Sequence, residues 1–302
     1  MKKYLFALTL LIYHLPLHAE VITDGTLGTA TSLPGPNYLI DDSLGQQMGG
    51  NLFHSLQTLN LNAAESATFT GPNSIANILT RITGGDSSFI DGTIRSKIPN
   101  ANLYLLNPNG ILFGEHASLD ISGSFHASTA DAIYLGTTGL YDVRTPANSI
   151  LTIAPPQAFG FFDDNPISIT VQDSFLQVAE GKSLSVIGGD LQFEDATLYA
   201  PEGHINLISV ASTGKVDFSS DNFEINNFTK LGNITLSLSS PEKMRQIADI
   251  PIGNIDTSGQ GGGQIFIRGG QLTTNNGFLF SDTYGNKNGQ DIDIFIDGPL
   301  TL

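Results

Sequence analysis

Two adjacent carboxylate pairs, Asp41-Asp42 and Asp163-Asp164, are the first residues whose types suit chemistry, since paired carboxyls can share general acid and base work. Neighbouring residues on a strand point to opposite faces, so such pairs fit turns better than a shared site. No Lys, Arg and Asp constellation of the pectin-degrading kind accompanies them. Of the six histidines, His14 and His18 fall within the first 19 residues, while His54, His116, His126 and His204 have no metal-like spacing and are read as wall or turn residues. Asp282, Asp291, Asp293 and Asp297, near Gly285 and Gly289, offer oxygen atoms of the type Ca²⁺ takes. The regular nonapeptides of a calcium β-roll are missing, and Cys, the other common nucleophile and ligand, is absent. Phe159, Phe161 and Phe162 follow Pro155-Pro156 and are read as a stack inside the coil rather than an exposed recognition patch, because aromatic side chains dominate core energetics. This inventory points to no catalytic residue, no metal and no cofactor.

The elements that would position these residues are short strands. Apolar residues alternate in Ile167-Ile169-Val171, Leu184-Val186, Leu191-Phe193, Ile234-Leu236-Leu238 and Ile292-Ile294-Ile296, each bounded by Gly, Asn, Asp or Pro. A phrase recurs at Gly203-His204-Ile205-Asn206-Leu207, Gly232-Asn233-Ile234-Thr235-Leu236, Gly263-Gln264-Ile265-Phe266-Ile267 and, more loosely, Gly289-Gln290-Asp291-Ile292, with its glycines 29, 31 and 26 residues apart. A drifting period of that size implies a solenoid with one phrase per coil, about ten coils and a rod roughly 50 Å long at ~4.8 Å per strand. Two stretches suggest short inserted helices. Ser240-Pro241-Glu242 leads into Lys243-Met244-Arg245-Gln246-Ile247 with an N-cap and a first-turn Pro. Ile75, Ile78, Leu79 and Ile82 have helical spacing, with a β-branched strand as the alternative. Val21 to about Asn62, with irregular spacing, is read as a cap over the first strand edges, and the strands beyond it as parallel.

Met1-Lys2-Lys3, an apolar run from Tyr4 to Leu17, and Leu17-His18-Ala19 before Glu20 form a secretory signal peptide, with cleavage expected between Ala19 and Glu20. The run is shorter than the about 20 residues that span a bilayer, and no later segment approaches that length. Removing Lys2 and Lys3 takes the formal charge from −16 to −18, which repels nucleic acid and keeps a partly folded exported chain soluble. Charged residues make up only 14 % of the chain and Gly numbers 33, a balance suited to tight turns between Ser-, Thr- and Asn-rich walls. With no Cys, no periplasmic disulfide can lock a fold too wide for an outer-membrane pore.

Asn107-Pro108-Asn109-Gly110-Ile111 has the chemistry of a tight corner: Pro fixes φ, Asn side chains bond back to the chain, and Asn109 and Gly110 tolerate left-handed backbone. It stands in one order with Gly49-Gly50-Asn51-Leu52-Phe53-His54-Ser55, Arg81-Ile82-Thr83-Gly84-Gly85, Ile90-Asp91-Gly92-Thr93-Ile94, Ala101-Asn102-Leu103-Tyr104-Leu105-Leu106 and Gly123-Ser124-Phe125-His126-Ala127-Ser128-Thr129. Together these resemble the filamentous-haemagglutinin N-terminal, or haemagglutination-activity, domain of two-partner-secretion exoproteins, in the form common in cyanobacteria and related environmental bacteria. The likeness is densest from Ile22 to Leu135 and continues more weakly to Gly203. A second family landmark, Asn-Pro-Asn-Leu, is replaced here by Gly71-Pro72-Asn73-Ser74-Ile75.

The resemblance implies a right-handed parallel β-helix and a cognate outer-membrane barrel transporter with POTRA domains. The chain is divided into a signal peptide (1–19), a secretion domain with its cap (20–160) and further coils (161–302). As no cap comparable to the N-terminal one follows Ile296, a fragment or a chain continued in a longer parent protein is the expectation. The secretion motif falls on Asn107, Pro108, Asn109, Gly110 and Ile111. The expected function is secretion across the outer membrane and surface adhesion to a host-cell or surface glycan or protein. The alternative is a carbohydrate-active β-helix enzyme, since such folds host lyases and hydrolases, though a fold alone is no evidence of activity. The purified chain is expected to release no reducing sugar and no unsaturated uronide from acidic polysaccharides. Release that disappears when Asp41 or Asp163 is replaced by Asn would reverse that expectation.

Overall fold

The computed structural model describes residues 19–218, 223–248 and 250–302. Most of the expected signal peptide therefore lies outside the described residues. Ala19 packs partly against the core, its carbonyl accepts from Tyr38 Oη at 3.1 Å, and Glu20 opens the first strand, Glu20–Thr23.

The chain winds as a parallel β-helix with three walls. Eight parallel strands build the first wall: Asn51–Asn60, Asn77–Ile82, Asn102–Leu106, Phe125–Ser128, Ser183–Gly188, His204–Ser209, Gln264–Gly269 and Ile292–Ile296. Their register places Leu52, Ile78, Leu103, Phe125, Leu184, Ile205, Ile265 and Ile292 in one row. The second wall runs from Ser88–Ile90 through Ile111–Phe113 to Leu300–Thr301 and stacks Ile111, Ile169, Leu191, Ile234 and Leu272. A third wall is made in two parts, Asn37–Asp41 to Ser118–Asp120 and Phe175–Gln177 to Leu279–Phe280. Alternation along each strand sends one row inward, and the rows from all three walls merge into one core.

The first wall carries apolar residues on its outer face as well, including Phe53, Leu79, Tyr104, Ile187, Ile208 and Phe266. These are covered by a five-stranded antiparallel sheet of Gly139–Asp142, Ala132–Leu135, Pro156–Phe161, Gly214–Asp217 and Glu224–Asn226. Its strands come from chain inserted where a first-wall strand turns toward the second wall, after Phe125–Ser128 and after His204–Ser209. The expectation of parallel strands throughout is corrected by this sheet. Phe159 and Phe161 are buried as expected, but in the second core between sheet and wall rather than inside the coil, and Phe162 is 41 % exposed.

The insertions also correct the coil count. Gly203 and Gly263 precede first-wall strands that are direct neighbours, whereas the Gly232 phrase enters the second wall at Asn233–Ser237. One coil thus contains two copies, each opened by a glycine where a Cβ would collide with neighbouring chain. Eight first-wall strands span about 35 Å at ~4.8 Å per step, shorter than expected.

Neither expected helix forms. Asn77–Ile82 is a strand with Ile78 and Ile82 inward and Leu79 outward, so neighbours on both sides supply its hydrogen bonds and the β-branched preference prevails. After Ser240 there is one 3₁₀ turn, Pro241–Lys243, followed by the short antiparallel pair Gln246–Ile247 and Ile250–Pro251. The cap is also shorter than the segment to Asn62. Glu20–Thr23 lies antiparallel on the edge of Asn51–Asn60, while Asn37–Asp41 already pairs in parallel as part of the first coil. Among the described residues no helix is long and apolar enough to cross a membrane.

Phe125 is fully buried and meets Phe113 edge-on at 6.2 Å. Phe125→Ala is expected to cost about 3–5 kcal/mol in urea unfolding. Ile292→Ala, at a site 46 % exposed, is expected to cost less than about 1 kcal/mol. Equal losses would contradict this placement of the core.

Candidate functional site

The Asn107–Gly110 corner joins the first wall to the second. Gly110 N donates to Asn107 O at 3.0 Å, closing a four-residue turn with Pro108 at its second position. Asn107 Oδ1 accepts from Asn109 N at 3.0 Å, an Asx turn laid over the backbone turn. Gly110 has φ +105°, and a Cβ there would stand 2.9 Å from Ile167 Cγ2. Of the two residues expected to tolerate left-handed backbone, only Gly110 uses it.

The corner is bonded to its neighbours as well as to itself. Asn107, fully buried, donates from Nδ2 to Asp86 O at 3.1 Å and Ser88 Oγ at 3.0 Å. Asn109 Nδ2 donates to Gly84 O at 2.7 Å, and Ser88 N donates to Gly110 O at 3.0 Å. On the other side Asn107 N donates to Ser128 O at 3.0 Å. Ile111, 2 % exposed, then pairs with Ser88 before it and Ile169 after it. Only Asn109 of the five motif residues is partly exposed, beside a 200 Å³ depression lined by Gly84, Gly85, Pro108 and Arg144.

Other candidate groups are dispersed. Asp41 Oδ1 accepts from Ser43 N at 2.9 Å and caps a local turn, whereas Asp163 meets Arg144 at 3.2 Å and Asp164 accepts from Thr213 N at 3.2 Å, both from distant chain. Asp293 pairs with Arg268 at 2.6 Å. Among the described residues no three His, Asp or Glu side chains gather as a metal site needs. His116 lies 3.1 Å from Asp91 at the surface, and His54 is buried inside the coil against Phe69. His126 points outward under the covering sheet. It stacks 4.5 Å from Tyr104 and places Nδ1 3.0 Å from Ser185 Oγ.

Sequence reasoning missed an asparagine ladder. Asn77 Nδ2 donates to Asn51 Oδ1 at 2.9 Å, Asn102 Nδ2 lies 3.4 Å from Asn77 Oδ1, and Asn102 Oδ1 accepts from Ser124 N at 3.0 Å. The same residue opening strands 26 and 25 positions apart was its signal. Arg81 was quoted only as part of a phrase, yet it is the largest fully buried side chain. Nothing local announces its partners, which come from distant chain.

A family profile described as the TPS secretion domain matches residues 19–272. The chain belongs to that family. TPS secretion domains are parts of two-partner-secretion exoproteins and do not form an enzyme family. Members are secreted by that route, and the family implies a TpsB transporter as partner. Two solved structures are similar: the HMW1 secretion domain from Haemophilus influenzae, at 20% identity over 91% of this chain and 82% of that one with TM-score 0.48, and a filamentous hemagglutinin secretion domain, at 14% over 94% and 95% with TM-score 0.45. These likenesses are of fold alone. No curated relative matches the chain in sequence.

Two buried histidines are expected to lower the stability of this TPS domain in acid. Burial penalises the imidazolium and pushes His126 down to about 3; burial likewise pushes His54 down to about 4, partly offset by the charge of Asp41 and the Leu44 backbone. Both groups bind protons more readily unfolded, so their contribution is whole above pH 6.5 and is lost as the pH falls toward these values. Between pH 6 and 4 each site contributes a slope of at most about 1 kcal/mol per pH unit. His126→Phe, which keeps the stack, is expected to flatten the pH dependence of urea-unfolding stability by about half across that range. An unchanged slope would contradict the assignment.

Proposed function

We propose that this domain directs its exoprotein to an outer-membrane barrel transporter with POTRA domains and starts the folding of the β-helix as the chain emerges. In this reading Asn107-Pro108-Asn109-Gly110-Ile111 acts as the first-formed corner, residues 20–160 as the secretion part with its cap, and residues 161–302 as coils added upon it. A signal peptide ending at Ala19 takes the chain to the periplasm. The exported product serves surface adhesion, with a host-cell or surface glycan or protein as its target.

The observation that carries the reading is the completeness of the corner. Its turn bonds are local and form early, since Pro108 restricts the unfolded chain and Gly110 accepts the required φ without strain. Its remaining bonds reach Gly84, Asp86 and Ser88, the chain that has already passed, and Ser128, the strand that comes next. Such a corner is suited to fixing the register of successive coils. With four of its five residues buried, it suits a part in folding better than one as a docking patch on the finished surface.

The test is secretion with the cognate transporter, set beside urea unfolding of the same refolded proteins. Asn107→Ala leaves the Asp86 carbonyl and the Asn109 amide without their side-chain partner and is expected to cost about 2–3 kcal/mol. Leu272→Ala, at a buried site in a later coil, costs about 2–5 kcal/mol and serves as the control. Asn107→Ala and Gly110→Val are expected to lower secretion by about tenfold or more, and Leu272→Ala by much less despite a similar stability loss. Normal secretion of both corner variants, or an equal defect in all three, would overturn the assigned role.

A further inference from the structure

Residues 139–154 cross the outer face of the first coil as a strap. Tyr141 Oη donates to His54 O at 2.6 Å, and Asn51 Nδ2 donates to Thr152 O at 3.0 Å and to Ala154 O at 2.7 Å. Beneath the strap lies Arg81, fully buried. Its Nε donates to Ser55 Oγ at 2.7 Å, one terminal nitrogen to Asp142 O and to Ser149 Oγ at 2.8 Å, and the other to Thr26 Oγ1 at 2.9 Å. The guanidinium sits 4.5 Å from the centre of the Tyr141 ring.

None of those four oxygens carries a formal charge. The balancing anion stands one hydroxyl away on each side. Asp24 Oδ2 accepts from Ser55 Oγ at 2.6 Å and from Thr83 Oγ1 at 2.7 Å, and Asp24 Oδ1 accepts from Thr26 Oγ1 at 2.9 Å. Asp24 immediately follows the capping strand Glu20–Thr23, so its place depends on the cap being seated.

Arg81 projects from the outer face of the first wall. Before the strap arrives that face is open, and the coils can form with the guanidinium hydrated. Closing the strap removes that water, which is unfavourable for a cation unless an anion is held nearby. Asp24 provides it only when the cap is in position. We propose that Asp24 and Arg81 gate the strap, so that residues 139–154 dock only over a first coil already capped. The inference rests on the reading of this domain as the unit that starts β-helix folding. Its test uses no transporter, so its failure is separable from a failure of the secretion assay.

The measurement is amide hydrogen exchange in the purified chain at Leu140, Val143 and Ile150, whose N–H groups bond to Ile150 O, Asp131 O and Leu140 O. Asp24→Asn is expected to speed exchange there by about tenfold or more while first-wall amides such as those of Leu103 and Val186 change little. Arg81→Met removes the charge that needs an anion, so it should keep the strap closed. The Asp24→Asn/Arg81→Met double variant should restore strap protection to within about threefold of the parent. The proposal fails if Asp24→Asn leaves the strap protected, if it loosens all amides alike, or if the double variant stays as open as Asp24→Asn. Should Asp24→Asn not fold, Arg81→Met decides alone: an open strap in that variant overturns the gate.

Discussion

Burial of the first wall on both faces governs how the rest of the molecule is arranged. Leu52, Ile78 and Leu103 fill the coil interior, while Phe53, Leu79 and Tyr104 one residue on face the opposite way and are equally dry. Leaving such a side chain in water forgoes about 1.5–3 kcal/mol each. A cover is therefore required, and the chain supplies it from two insertions, Thr129 to Ser168 and Val210 to Gly232, which leave the helix and return to it. An ordinary solenoid is stabilised coil by coil through nearest neighbours. Here the covering sheet reaches from Phe53 in the first coil to Phe266 near the last and ties non-adjacent coils together.

Polar groups trapped under that cover decide which arrangement is allowed. The asparagine ladder ends on the strap through Asn51, and His126 is satisfied by Ser185, which also accepts from Asn206 Nδ2 at 3.1 Å. Each requires one register, because a slip by one residue would turn it to the other face of the wall. Apolar rows alone would tolerate more than one stacking. Arg81 and Asp24 add the same demand at the capped end, where strand, strap and N-terminal segment meet.

Much of this was legible in the chain. Period-two alternation marked Leu184-Val186 and Ile292-Ile296 as strands, and the order of motifs from Gly49 to Thr129 pointed to the family. Strand direction was not legible: Ala132–Leu135 and Pro156–Phe161 are short apolar segments like many in the coils, and only their partners make them antiparallel. The Gly232 phrase resembled the Gly203 phrase because both glycines sit too close to other chain for a Cβ, which would collide with Ser209 Oγ and Lys182 O respectively, so local pattern could not tell one wall from another. Ile75 to Ile82 satisfied a helical spacing by accident of closely spaced apolar residues, and pairing on both edges decided for strand. At the corner, Pro108 and Gly110 announced a turn, but the burial of Asn107 depends on Asp86 and Ser88, about twenty residues away.

These features bear on the proposed role in one physical respect. A domain that starts a β-helix needs early coils stable enough to present an ordered edge to the chain that follows. The capped end has the antiparallel strand, the asparagine ladder, the corner and the strap. Native-state hydrogen exchange along the first wall, residue by residue under increasing denaturant, measures this asymmetry directly. The account expects the amides of Leu52 to Leu106 to open only with global unfolding and those of Leu184 to Ile208, in coils added later, to open at lower free energy. Uniform protection from Leu52 to Ile208, or greater protection at Leu184 to Ile208, would contradict it.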